Sequence, residues 1–80
     1  MISSYVTAAL RHARYELMEN GRFYGSIPEC QGCWAEEASL EACREELIEV
    51  LEEWIALAYK RGDQLPVIDG CDINLVAEHV

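Results

Sequence analysis

The segment SLEACREELIEVLEEWIALAYKRG, Ser39 to Gly62, carries the plainest structural signal in the chain. Leu40, Cys43, Leu47, Val50, Leu51, Trp54, Leu57 and Ala58 follow one another mostly at steps of three and four and make one broad apolar stripe. That spacing belongs to a helix with one face turned to a core. Glu41, Glu45, Glu46, Glu49, Glu52 and Glu53 lie mainly off the stripe. Ser39 is placed to accept from the free N–H groups of the first turn, Lys60 and Arg61 sit at the negative end of the helix dipole, and Gly62 supplies the left-handed residue that ends it. These signals agree on a helix of about 22 residues.

Upstream of that helix the period changes from 3.6 to 2. From Ala13 to Glu19, Ala13, Tyr15 and Leu17 point one way while Arg14, Glu16 and Met18 point the other, as in a half-buried strand. Asn20-Gly21 follows, a pair that suits a tight hairpin because both residues tolerate positive φ. The strand returns over Arg22 to Ile27, with Phe23, Gly25 and Ile27 on one face, and ends at Pro28, which cannot donate to a ladder. Glu29 to Gly32 reads as a turn and Cys33 to Glu36 as a short third strand. Before the sheet, Val6, Ala9, Leu10 and Ala13 lie at helical spacing in Ser3 to Ala13, with Ser3 or Ser4 as the N-cap.

Downstream of Gly62 come a loop containing Leu65-Pro66, a turn at Asp69-Gly70 and a last short strand over Asp72 to Val76. The order is α-β-β-β-α-β. It predicts a single α+β domain over residues 1–80, with the N-terminal helix at 3–13 and the core over 13–76. A three-stranded antiparallel sheet carries the long helix on one face. The final strand, joined through that helix, can run parallel to a sheet neighbour by a right-handed crossover.

Composition narrows the function. Eighty residues make one domain that buries only roughly 60% of its unfolded surface, so self-association is a reasonable expectation for extending the core. The net charge of −9 comes from 15 acidic residues against 6 Lys and Arg. Arg11, Arg14 and Arg22 are isolated and form no basic stripe, which disfavours direct binding of nucleic acid. A basic partner suits the field of such a chain, although charge of this size also serves solubility. No apolar run is long enough to span a bilayer, and the first residues lack the basic and apolar regions of a signal peptide. A cytoplasmic location is expected.

In that compartment Cys30, Cys33, Cys43 and Cys71 are expected as thiols, at least two of them small buried hydrophobes. Cys30-Gln31-Gly32-Cys33 has the spacing of half a zinc site or a redox pair. Cys43, Cys71, His12 and His79 are scattered without a second close pair, which favours the structural reading and no metal. Glu16, Glu19 and Asp72 are the only carboxylates placed for divalent ions at strand ends, and a solvated face explains them better. His12 and His79 support no nucleophile–base arrangement. No catalytic residue or cofactor is therefore expected. Trp54 lies on the helix stripe and is assigned to the core. Trp34 alternates away from Cys33 and Ala35, so it falls on the outer face of the sheet. An exposed Trp on a bare sheet is a typical interface anchor, and Trp34, Tyr24 and Met18 are expected to form a subunit or partner contact.

The run Phe23-Tyr24-Gly25-Ser26-Ile27-Pro28-Glu29-Cys30-Gln31-Gly32-Cys33-Trp34-Ala35-Glu36 resembles the HicB-like antitoxin domain. Ser39-Leu40-Glu41-Ala42-Cys43 resembles its helix start, and Gly62 with Leu65-Pro66 its Gly-x-x-Leu-Pro loop. The resemblance covers residues 13 to 76. It implies a fold like a truncated ribonuclease H sheet and a non-catalytic antitoxin that covers a small basic HicA-type messenger-RNA ribonuclease. Trp34, Glu36 and Glu37 are then the expected partner-binding residues. Operator binding is not carried over, because too few residues follow the last strand for the DNA-binding module that many such antitoxins add. Short stand-alone members of the family give the alternative, a homo-oligomeric module of unknown partner.

Overall fold

The computed structural model describes residues 2–72 and, from Ser4 onward, their side chains. The elements are α1 (Ile2–Arg11), β1 (Arg14–Leu17), β2 (Phe23–Ser26), β3 (Trp34–Glu37) and α2 (Leu40–Arg61). The strands form one antiparallel sheet in the order β1-β2-β3. The fold is α+β with the long helix on one sheet face, as the sequence predicts. The strand expected from Asp72 to Val76 lies, beyond Asp72, outside the described residues.

The long helix forms where its caps place it. The Ser39 side chain accepts from the Ala42 N–H at 3.1 Å. At the other end Gly62 has φ 76°, its N–H donates to the Tyr59 carbonyl at 3.1 Å, and the Asp63 N–H reaches Ala58 at 2.9 Å. This pair of bonds is a Schellman stop. α2 lies over β3 and β2 and buries Cys43, Leu47, Leu51, Ile55 and Ala58. The buried face is narrower than the stripe read from the sequence: Leu40 and Leu57 are exposed, Val50 and Trp54 are half-buried, and Ile55 joins the core. Strands of four residues offer too little surface to cover a wider face. Trp54 therefore sits at the core's margin, its indole N–H donating to the Gln31 carbonyl at 3.0 Å.

α1 begins at Ile2, so Ser3 and Ser4 lie inside its first turn and not at its cap. What it buries holds it in place: Tyr5, Ala8 and Ala9 are enclosed, and the Tyr5 hydroxyl donates to the Pro66 carbonyl at 2.6 Å. Burial pushes that phenol's pKa up, so at neutral pH it stays a donor.

The hairpin between β1 and β2 departs from the two-residue turn suggested by Asn20-Gly21. Gly21 has φ 83°, whereas Asn20 is not in the positive-φ region. The Gly21 N–H donates to Met18 at 2.9 Å and the Met18 N–H to Arg22 at 2.8 Å. This is a three-residue loop, a type I turn completed by a left-handed glycine. The tight two-residue form occurs instead at Asp69-Gly70, where both residues have positive φ (50° and 78°) and Ile68 bridges Cys71.

On the sheet's inner face Gly25 is buried opposite Tyr15. A Cβ there would come within 2.8 Å of the Tyr15 ring and 3.1 Å of the Cys43 sulfur. The ring lies across the space a side chain would fill, under α2. Leu17, expected on this buried side, is 64% exposed. The helix roofs β2 and β3, which leaves the end of the edge strand β1 uncovered.

Candidate functional site

The outer face of the sheet carries no helix. Cross-strand register places Glu16, Tyr24 and Glu36 in one row and Arg14, Ser26 and Trp34 in the next. Alternation along each strand sets all six on the face opposite Gly25 and Ala35. Trp34 is 51% exposed, and its ring stacks on Tyr24 with centroids 5.8 Å apart and planes 24° apart. Diagonal cross-strand neighbours of this size are within reach of one another. The pair forms a flat aromatic plate on an otherwise polar surface. The Arg22 Nε donates to Glu36 at 2.8 Å along its margin. Met18, bonded to Arg22 just beyond β1, continues the same face by the strand alternation.

The residues anticipated as contacts thus divide. Met18, Tyr24, Trp34 and Glu36 share the outer face. Glu37 falls on the other side of β3, toward the start of α2, where burial first and the Glu37 charge second raise the Cys43 thiol pKa. Glu36 has part of its charge answered by Arg22. The largest run of acids lies elsewhere: Glu41, Glu45, Glu49, Glu52 and Glu53 are exposed along the solvent side of α2. Two surfaces result, an aromatic sheet face and an acidic helix ridge on opposite sides of the molecule.

Burial sets the cysteine chemistry. Cys30 and Cys33 are enclosed at the β2–β3 turn, and loss of solvent pushes their thiols up to about 12 and about 11. Such thiols stay protonated at neutral pH, which opposes thiolate or metal-ligand chemistry. Among the described residues no group of three or more His, Cys, Asp or Glu is placed to hold a metal ion. Cys71 is half-buried. A thiol reagent added to the folded protein is expected to modify Cys71 first and Cys30, Cys33 and Cys43 only as the fold opens; mass mapping of the labelled peptides checks this order.

One cluster had no signal in the sequence. His12, just past α1, meets Glu29 through Nδ1 at 2.6 Å and Asp69 through Nε2 at 2.8 Å. Arg11 approaches Asp69 at 3.7 Å. The partners lie 17 and 57 positions away in the chain. A neutral imidazole has one N–H and cannot donate to both carboxylates, so the arrangement favours the doubly protonated ring. The hydrogen bonds to Asp69 and Glu29 raise the His12 pKa from 6.5. The bond to His12 lowers the Glu29 pKa from 4.5.

The stability this adds has a defined pH window. A raised histidine pKa contributes fully below the unfolded value and fades as pH rises through the folded one. A lowered carboxyl pKa contributes above its unfolded value and fades as pH falls. Thermal midpoints are expected to be highest in mildly acidic buffer and to decline toward alkaline pH. His12→Ala should flatten the alkaline decline, and an unchanged profile in that variant would contradict the assignment.

No helix among the described residues is long and apolar enough to cross a membrane. A family model described as UPF0150-like matches residues 4–66, which takes in α1 as well as the sheet and α2. The crystal structure of TTHA0281 from Thermus thermophilus is similar at TM-score 0.79 and 35% sequence identity, covering 84% of this chain and 84% of that one. No curated protein matches the chain.

Proposed function

We propose a function from one established premise: the chain belongs to the UPF0150-like family. It acts as a HicB-like antitoxin domain, binding and occluding a small basic HicA-type messenger-RNA ribonuclease without catalysing a reaction itself. The observation that carries this reading is the stacked Tyr24–Trp34 plate on a sheet face that no element of the described chain covers. An aromatic anchor surrounded by polar groups is what a protein interface centres on.

The division of surfaces gives the acids two roles. The α2 ridge, far from the plate, raises the encounter rate with a basic partner through its field. Glu36 sits beside the plate and can exchange its Arg22 partner for a cation of the toxin. Masking is steric and needs no cofactor or metal.

Co-expression tests the reading in cells. Production of the protein encoded next to this chain is expected to arrest growth when that protein is a HicA-type toxin, and co-production of this chain to restore it. A second reading, a stand-alone homo-oligomeric module, is favoured by the exposed Leu17 at the end of β1. It predicts self-association and no such neighbour.

A further inference from the structure

Tyr24 and Trp34 each turn one ring face to the other. Trp34 is 51% exposed, so its second face is open to a group approaching the sheet. An indole face carries the negative part of the ring quadrupole and attracts a cation laid over it. Carboxylates stand on both sides of the stack. The register sets Glu16 on β1 and Glu36 on β3 directly across from Tyr24, close enough for one long side chain to meet them. Glu36 is also two residues from Trp34 on the same face of β3. Its Oε2 accepts from the Arg22 Nε at 2.8 Å. Glu16 is exposed and makes no ion pair among the described residues.

We propose that this plate seats an arginine side chain of the basic partner, its guanidinium stacked on the aromatic pair and donating to Glu36 and Glu16. The proposal rests on the reading that such a partner docks on this face, and it names the group the face holds. Guanidinium suits the plate better than other side chains do. It is planar, weakly hydrated and carries five N–H donors in a fixed fork, so it can stack and meet carboxylates at once. An ammonium is a compact, strongly hydrated point charge and gains less from a flat ring. An apolar side chain would cover the carboxylates without answering their charge, which is costly.

Arg22 already shows the pairing within the chain, its guanidinium bound to Glu36 at the edge of the plate. The other cation of this face, Arg14, lies in the row of Trp34 with Ser26 between them. Two strand spacings put it about 10 Å away, where exposed charges are largely screened.

The chain carries its own reference for the test. Of its two tryptophans, Trp54 lies on α2 with its indole N–H held by the Gln31 carbonyl. Acetylated tetra-arginine and tetra-lysine amides are titrated into the full chain, and the two indole N–H resonances are followed. Both peptides carry four positive charges, so the acidic α2 ridge attracts them alike. Tetra-arginine is expected to move the Trp34 resonance to saturation and leave Trp54 in place, with affinity roughly threefold or more above tetra-lysine. Glu16→Gln and Glu36→Gln should each weaken it roughly two- to fivefold. Both side chains reach solvent, so the fold is not at stake.

Trp34→Leu keeps apolar bulk without the ring and should abolish the preference for arginine, read at the Tyr24 backbone amide; Trp34→Phe should keep part of it. No response at Trp34, or an equal response to both peptides, overturns the proposal. So does an arginine preference that survives Trp34→Leu, or native affinity in both carboxamide variants. The result is separable from the antitoxin reading. A chain that binds the neighbouring protein but shows no arginine preference loses this proposal alone. An arginine-selective plate with no binding of that protein loses the antitoxin reading alone.

Discussion

Leu47→Ala and Leu51→Ala are each expected to leave much of the chain unfolded at ambient temperature. Both side chains are fully buried at the centre of α2. Truncating such a leucine costs about 2–5 kcal/mol, the transfer of the lost methyls plus the cavity left behind. A domain of this length has a total stability of about 4–12 kcal/mol at 0.05–0.15 kcal/mol per residue, and its low buried fraction places it toward the lower end. One substitution can therefore remove most of the margin. Leu57→Ala is the matched control, because Leu57 is 48% exposed on the same helix and surface truncations usually stay within about 0.5 kcal/mol. Urea titrations followed by helix ellipticity should separate the two classes clearly. Equal midpoints would mean that α2 is not packed on the sheet along the face described.

Trp34→Ala is expected to have the largest effect on partner binding while leaving the fold intact. The side chain is half in solvent and its contact is the stack on Tyr24, so the cost to folding stays near the ~0.5–1.5 kcal/mol of an aromatic pair. At the centre of an interface the same truncation costs roughly 2 kcal/mol or more, about a thirtyfold loss of affinity. Glu36→Ala should cost less, since Arg22 already answers its charge, and Glu37→Ala least, since Glu37 faces away from the plate. Reversing Glu49 and Glu52 on the helix ridge should lower the association rate and its salt dependence more than the dissociation rate. Binding by the Trp34 variant at native affinity would move the contact off the sheet face.

Local signals in the sequence located most of this structure. α2 runs from the residue after its serine cap to the residue before its glycine because cap, dipole charges and stop all act within one turn of the chain. The hairpin was legible for the same reason, although not its form. Asn20-Gly21 and Asp69-Gly70 look alike as dipeptides, yet only the second adopts the two-residue turn. What differs is the bonding around them, with Met18 and Arg22 closing a wider loop.

Misreadings arose where a side chain's environment depends on a distant element. Leu17 alternates correctly with Tyr15, but its burial requires a helix overhead, and α2 crosses the other two strands. Leu40 and Leu57 fit the apolar period, while Ile55, absent from the expected stripe, is the residue the narrow sheet actually covers. The His12 cluster was invisible because its carboxylates come from two turns far along the chain. Trp34 could be placed by strand parity alone, and its stack on Tyr24 depends on the registry of β2 with β3 that the turn residues set. The division between aromatic plate and acidic ridge could not be read without knowing which side of the sheet the helix takes.

The central claim is that the chain binds a basic HicA-type toxin through the Tyr24–Trp34 face. Calorimetry of the purified chain with the protein encoded beside it, at low and high salt, tests that most directly. The account predicts a tight complex that weakens as salt rises and weakens sharply in the Trp34→Ala variant. No heat of binding at either salt concentration would contradict it and leave a member of the UPF0150-like family whose partner is not that protein.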